Sequence, residues 1–148
     1  MFHIRRSATK FFFLTLMCLL PALLGSCGLF GGQKDNQEGL LKAAERFNKD
    51  VRWEDYRSAA NWIAPLAKEE FWNQVDHLQG RIRVIDCQVV DAIVEERGAI
   101  GTVVLRYRFF PKNNPQPQIK TLHQEWLFSK EAGGWQIVRH DLQKLMPE

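Results

Sequence analysis

Cysteine, sequence motifs and net charge are all scarce in this 148-residue chain, and each shortage excludes something. The three cysteines, Cys18, Cys27 and Cys87, form no CxxC pair, so neither a zinc knuckle nor a redox dithiol is available. HExxH, Walker and glycine-rich dinucleotide patterns are missing as well, and neither a metal nor a cofactor is expected. Lys and Arg exceed Asp and Glu by three, and Arg5, Arg6 and Lys10 account for that whole excess. The chain beyond them is neutral. It lacks the basic field with which a protein holds a phosphate backbone, so no nucleic-acid partner is expected. Long apolar runs are missing too. The longest, over residues 11–24, carries Pro21 inside it and falls short of the about 20 residues that span a bilayer.

What is present begins with a leader. Residues 1–10 hold three basic side chains and no acid, the apolar run follows, and Gly25 and Ser26 precede Cys27. Positive, apolar, small is the order of a secretory signal. The segment Leu24-Gly25-Ser26-Cys27 resembles the lipobox of bacterial lipoproteins. The resemblance implies a signal peptide over 1–26, cleavage before Cys27 and lipidation of Cys27. Several acyl chains there would hold a protein firmly where one holds it only marginally. Gly28, at the position after the cysteine, is not Asp, which by the resemblance implies the outer membrane, facing the periplasm. Residues 27–38 are then the lipidated cysteine and a flexible tether rich in Gly, Gln, Asn and Asp. Cys87 is left without a disulfide partner and reads as a small buried apolar side chain. About 120 residues remain past the cleavage point, enough for one domain with its own core, placed over 39–148.

That domain opens with helical periodicity. Leu40, Ala44, Phe47 and Val51 mark one face of a helix over 37–52. A second piece over 54–63 turns Tyr56, Ala59, Ala60 and Ile63 inward and stops at Pro65. A third over 66–78 does the same with Phe71, Val75 and Leu78, and Gly80 ends it. Strand patterns follow over 81–96, 99–110, 119–130 and 135–141, separated by short turns and a Pro- and Asn-rich loop over 111–117. Helices first and an antiparallel meander afterwards predict an α+β domain with the helices on one face of the sheet.

This order, the helical segment Trp53–Tyr56, the long meander, Trp126 in the third strand and Gly133-Gly134-Trp135 opening the fourth resemble the NTF2-like (cystatin-like) fold. The resemblance covers about residues 37–145. It implies N-terminal helices packed on a curved four-stranded antiparallel sheet that closes into a cone. Many such proteins carry a hairpin or extra strand among the helices. None is readable here, which implies a reduced cone with a smaller pocket.

Strand register offers candidate chemistry. Pairing Phe128 with Trp135 and Trp126 with Ile137 gathers Leu122, Trp126, Phe128, Trp135 and Ile137 on one apolar face. The same register sets His123 across from His140 on the other face. A symmetric 111–117 loop then places Leu105 beside His123, Val103 beside Glu125 and Tyr107 one pair further along. His123, His140, Glu125 and Tyr107 are therefore the candidate catalytic cluster, because a neutral imidazole accepts a proton and a nearby carboxylate orients it. In NTF2-like enzymes the resemblance implies Asp, His and Tyr side chains inside the cone acting on a small organic ligand. No position here matches a specific catalytic motif of that family. The competing reading is an ordinary half-exposed sheet face, and a slip of one residue would scatter the cluster. The spacing of the two histidines is too unspecific to assign a metal.

The five tryptophans, Trp53, Trp62, Trp72, Trp126 and Trp135, read as core packing, with an aromatic-lined pocket or partner surface as the alternative. Arg81, Arg83, Arg106 and Arg108 read as a solvated face near Asp86 and Glu95, with docking of an anionic ligand as the alternative. The expected function is a membrane-anchored envelope lipoprotein whose domain is a non-enzymatic binding module for a protein or small molecule. Two alternatives stand beside it. One is a small isomerase- or hydrolase-type enzyme using the His/Glu cluster in the cone. The other is a structural subunit that forms a homodimer.

Overall fold

The apolar stripe read from the sequence is the buried stripe of the first helix. A computed structural model describes residues 31–95 and 98–146, in which helix α1 runs Gly31–Arg52. Leu40, Ala43, Ala44, Phe47 and Val51 are buried, spaced three and four apart as one helix face requires. The sequence predicts a flexible tether up to residue 38, and this is corrected from Gly31 onward, where the chain is already helical. Two of its polar residues fasten α1 to the sheet. Asn36 Nδ2 donates to the Gly98 carbonyl at 3.2 Å and Gln37 Nε2 to the Ala92 carbonyl at 3.0 Å. The expected signal peptide over 1–26 and the expected lipid-bearing Cys27 lie outside the described residues.

Helix α1 ends in a Schellman turn. The amide of Asp55 donates to the Asp50 carbonyl at 2.9 Å and that of Glu54 to the Val51 carbonyl at 3.1 Å. Such a turn needs a left-handed residue, usually Gly, at the position Glu54 occupies, and Glu54 has φ 58°. Helix α2, Tyr56–Ala59, starts at once, capped by Asp55, whose Oδ1 accepts from the Ser58 amide at 3.1 Å. Short 3₁₀ turns at Ala60–Trp62 and Pro65–Ala67 lead into α3, Lys68–Leu78. Every inward position predicted for these pieces is buried: Tyr56, Ala59, Ala60, Ile63, Phe71, Val75 and Leu78.

The sheet is an antiparallel meander in the order β1-β2-β3-β4, with β1 Ile82–Val94, β2 Ile100–Pro111, β3 Gln118–Ser129 and β4 Gly134–His140. Among the described residues no strand precedes β1. Alternation assigns one face to the helices: Val103, Leu105, Tyr107 and Phe109 from β2, Leu122, Gln124 and Trp126 from β3, Trp135 and Ile137 from β4. Gly101 on this face lets α1 approach closely, since a Cβ there would stand 2.6 Å from Leu40 Cδ2. Phe47, Phe71 and Trp126 fill the middle, Phe47 lying 6.2 Å from each of the other two rings. A last 3₁₀ turn, Leu142–Leu145, brings Leu142 and Leu145 under the same core.

The two outer strands end differently. The far edge of β4 is met by Ile63, and the Ala64 amide donates to the Ile137 carbonyl at 2.9 Å. Among the described residues no strand lies beside the far edge of β1. There Ala92 has its carbonyl taken by Gln37 and its amide by Asp91 Oδ1 at 2.9 Å. Two irregularities in β1, between Val84 and Asp86 and between Val89 and Asp91, add to its twist.

Candidate functional site

The predicted pairs Phe128–Trp135 and Trp126–Ile137 are present, yet the predicted cluster is not. Two shifts of one residue divide it. The loop after β2 is not symmetric, so Leu105 pairs with Leu122 and Val104 with His123. Then β4 carries an extra residue at Val138, and Glu125 pairs with Arg139 and Gln124 with His140. The bulge turns His140 inward, where it is 3 % exposed. Tyr107 is also inside, fully buried. His123 and Glu125 stay on the outer face. There Arg139 reaches the Glu125 carboxylate at 2.9 Å, and His123 Nδ1 lies 3.6 Å from Asp141 Oδ2. Burial alone would raise the Asp141 carboxyl, but Lys144 at 2.7 Å, with His123 beside it, holds it below its usual value.

Inside the cone the polar atoms form a network that the sequence reading missed. Asn48 on α1 and Gln124 on β3 face each other as a reciprocal amide pair. Gln124 Nε2 donates to Asn48 Oδ1 at 3.0 Å, and Asn48 Nδ2 donates to Gln124 Oε1 at 3.4 Å. Asn48 Nδ2 also donates to the Ala44 carbonyl at 2.7 Å, and its Oδ1 accepts from the Tyr107 hydroxyl. Trp126 Nε1 completes the set, donating to Gln124 Oε1 at 3.3 Å. Both donor hydrogens and both lone pairs of Asn48 are engaged, so no capacity is left for a ligand. Burial raises the Tyr107 hydroxyl well above its ordinary value. Burial also pushes the Cys87 thiol, across the strand pair from Tyr107, up to about 12, so it carries almost no thiolate at neutral pH. A signal for this network existed: Asn48 follows Ala44 by one turn, and Gln124 alternates with Leu122 and Trp126.

His140 stands apart from that network. Neither ring nitrogen has a hydrogen-bond partner among the described residues, and its ring meets Phe71 edge-on at 5.7 Å. Burial lowers its pKa, partly opposed by the Glu70 and Asp141 carboxylates. Nearby, Gln74 links α3 to the last turn, its Nε2 donating to Glu70 and its Oε1 accepting from the Gln143 amide.

The larger open spaces lie beside and past the end of α1, and a smaller one of about 220 Å³ lies on the outer sheet face against Asp86, Arg106 and Arg108. One cleft of about 500 Å³ runs between α1 and β1, with Leu41, Asn48, Cys87 and Val89 among its walls and Glu45 and Lys49 among its charges. A second hollow of about 570 Å³ lies past the end of α1, against the start of β1 and the end of β2. Both shares of open space are large enough for a small ligand. Among the described residues no three His, Cys, Asp or Glu side chains are gathered as metal ligands. The tryptophans divide: Trp126 and Trp135 are core, whereas Trp72 is 40 % and Trp53 71 % exposed.

No protein-family model matches the chain, and no curated relative matches it. Solved structures similar to the chain include two from bacteria. One, from Xanthomonas campestris pv. campestris, is described as a polyketide cyclase; it is 10 % identical, with a TM-score of 0.53 over 75 % of this chain and 96 % of its own. The other is a ketosteroid isomerase-like protein from Erwinia carotovora atroseptica, 14 % identical, with a TM-score of 0.53 over 71 % of this chain and 92 % of its own. At these identities the likeness is one of fold. It bears out the α+β architecture expected from the sequence: helices packed on a curved four-stranded antiparallel sheet of the NTF2-like type.

Proposed function

We propose that the chain is an envelope lipoprotein, held through Cys27 to the outer membrane and facing the periplasm, whose domain is a non-enzymatic binding module. One observation carries the second half of this reading. The cone is filled by its own side chains, and the two larger hollows among the described residues lie at the flank and past the end of α1, away from His140. An enzyme of the isomerase type is supported by the likeness of fold to a ketosteroid isomerase-like protein. It would need an acid or base facing a cavity that a substrate can enter. The candidates are instead locked in the core, as Tyr107 and His140 are, or set on the outer face, as His123 and Glu125 are.

The cleft between α1 and β1 is the binding site of this reading. A fluorinated fragment library screened against the full chain is expected to give hits that Val89→Trp, which plugs the cleft, abolishes. Hits that persist unchanged in Val89→Trp would move the site elsewhere. The anchor is tested separately: Cys27→Ser is expected to release the processed protein from membrane fractions, and continued attachment of a cleaved Cys27→Ser chain would overturn it. A second reading, a subunit that pairs through the outer sheet face, is supported by the exposure of Ile93, Ile119 and Leu127 there. Sedimentation of the chain with and without Ile119→Lys decides it.

A further inference from the structure

The hollow past the end of α1 gathers an excess of positive charge, three cations to one acid, in a protein whose domain has none to spare. Its walls include Arg52 from the end of α1, Arg83 from β1 and Lys112 just after β2. Among the described residues no carboxylate stands within ion-pair distance of any of the three. They contrast with Arg139, Lys42 and Lys144, which each hold an acid. The same hollow has two aromatic walls, Trp53 and Phe110, and one acid, Glu54.

Local structure explains the convergence. Residues Arg83 and Phe110 are a direct cross-strand pair. Lys112 is held alongside by its amide, which donates to the Arg81 carbonyl at 2.8 Å. On the opposite wall, the Schellman turn puts Glu54 in the left-handed region and leaves Trp53 71 % exposed, with the Arg52 guanidinium carbon 5.8 Å from its ring centroid. A non-glycine residue held left-handed at the rim of a hollow is strain located at a candidate site. Guanidinium groups match carboxylate and phosphate oxygens in pairs, and they stack on aromatic faces. Three unpaired cations with two flat apolar walls therefore suit a flat organic anion better than a bare ion.

We propose that this hollow is a second binding site, for a small organic anion, carboxylate or phosphate, carried on an aromatic or similarly flat body. Arg83 and Lys112 hold the anionic head, Trp53 and Phe110 hold the body, and Glu54 sets an upper limit on affinity by repelling the head. The site is separate from the cleft between α1 and β1, although Arg52 borders both.

The experiment is a calorimetric titration of the full chain at low ionic strength with benzoate and with phenyl phosphate, followed in parallel by tryptophan fluorescence. Binding is expected for both probes, with Trp53 as the responding fluorophore, and the tighter of the two identifies the head group. Benzamide, which keeps the ring and lacks the charge, is expected to bind at least tenfold more weakly. Arg83→Ala and Lys112→Ala should each weaken binding about tenfold, the loss of one charged hydrogen bond. Glu54→Gln should tighten it about threefold, a gain that a misfolded variant would not produce. Equal affinity for benzoate and benzamide, unchanged affinity in Arg83→Ala and Lys112→Ala, or weaker binding in Glu54→Gln would each overturn the proposal. Inorganic phosphate binding as tightly as phenyl phosphate would overturn the part played by the aromatic walls.

Discussion

An imidazole buried with both nitrogens unpaired destabilises the state that buries it, and His140 is in that position beside Phe71. Burial lowers its pKa in the folded chain, with Glu70 and Asp141 opposing. The sign of the pH effect follows. An unfolded histidine takes up its proton near pH 6.5, and the folded one does so only at lower pH. As pH falls below 6.5 the unfolded chain therefore binds more protons, and stability is lost until the folded group titrates too. His140→Leu removes both unpaired nitrogens at similar volume. It is expected to raise the melting temperature at pH 7 by about 4 °C, corresponding to about 1 kcal/mol. It should also flatten the fall in melting temperature between pH 6.5 and 5, measured by scanning calorimetry. A variant whose melting temperature falls with pH as steeply as the wild type would refute this account of His140. The imidazole differs in this from Asn48, whose four hydrogen-bonding positions are all engaged.

At the scale of elements, the sequence specified which residues face inward far better than which residues face each other. Helix faces are repeated several times over, as by Leu40, Ala44, Phe47 and Val51, so one exception cannot hide the period. Strand pairing has no such redundancy. The single extra residue at Val138 and the one-residue asymmetry after β2 leave the apolar alternation of Leu122, Trp126, Trp135 and Ile137 intact, yet the first puts His140 and the second puts Tyr107 on the face opposite His123. The candidate cluster failed for that reason alone. The polar network was legible only as polar residues at inward positions, and those positions were passed over because apolar neighbours defined the face. The end of α1 at Arg52 was legible although no Gly marks it: Glu54 takes the left-handed place a Gly would occupy. Glu54→Gly should relieve that strain. It is expected to raise stability by about 0.5–1 kcal/mol in urea denaturation with unchanged slope, and an unchanged or lowered midpoint would show that Glu54 is held by something other than the turn.

At the scale of the whole domain, the described residues keep a solid interior and put the larger open spaces at its periphery. Helix α1 is the partition between them: its inward stripe meets Trp126 and Tyr107, while Leu41, Glu45 and Lys49 turn to the cleft. The arrangement of β1 bears on another property, what the chain does at high concentration. A sheet with an open border can recruit another molecule's strand and keep growing. On this border Gln37 and Asp91 occupy the carbonyl and amide of Ala92 with side chains, so an incoming strand finds that rung already taken, and the two bulges bend the rest out of line. Gln37→Ala combined with Asp91→Ala should therefore speed fibril formation in concentrated solution, followed by light scattering and thioflavin fluorescence with each chain held the same interval below its own melting temperature; a lag time equal to that of the wild type would rule this out. Were the proposed anchor to concentrate the chain on a surface, copies would meet far more often than free in solution, and two polar side chains on one rung would then act as a guard against fibre growth.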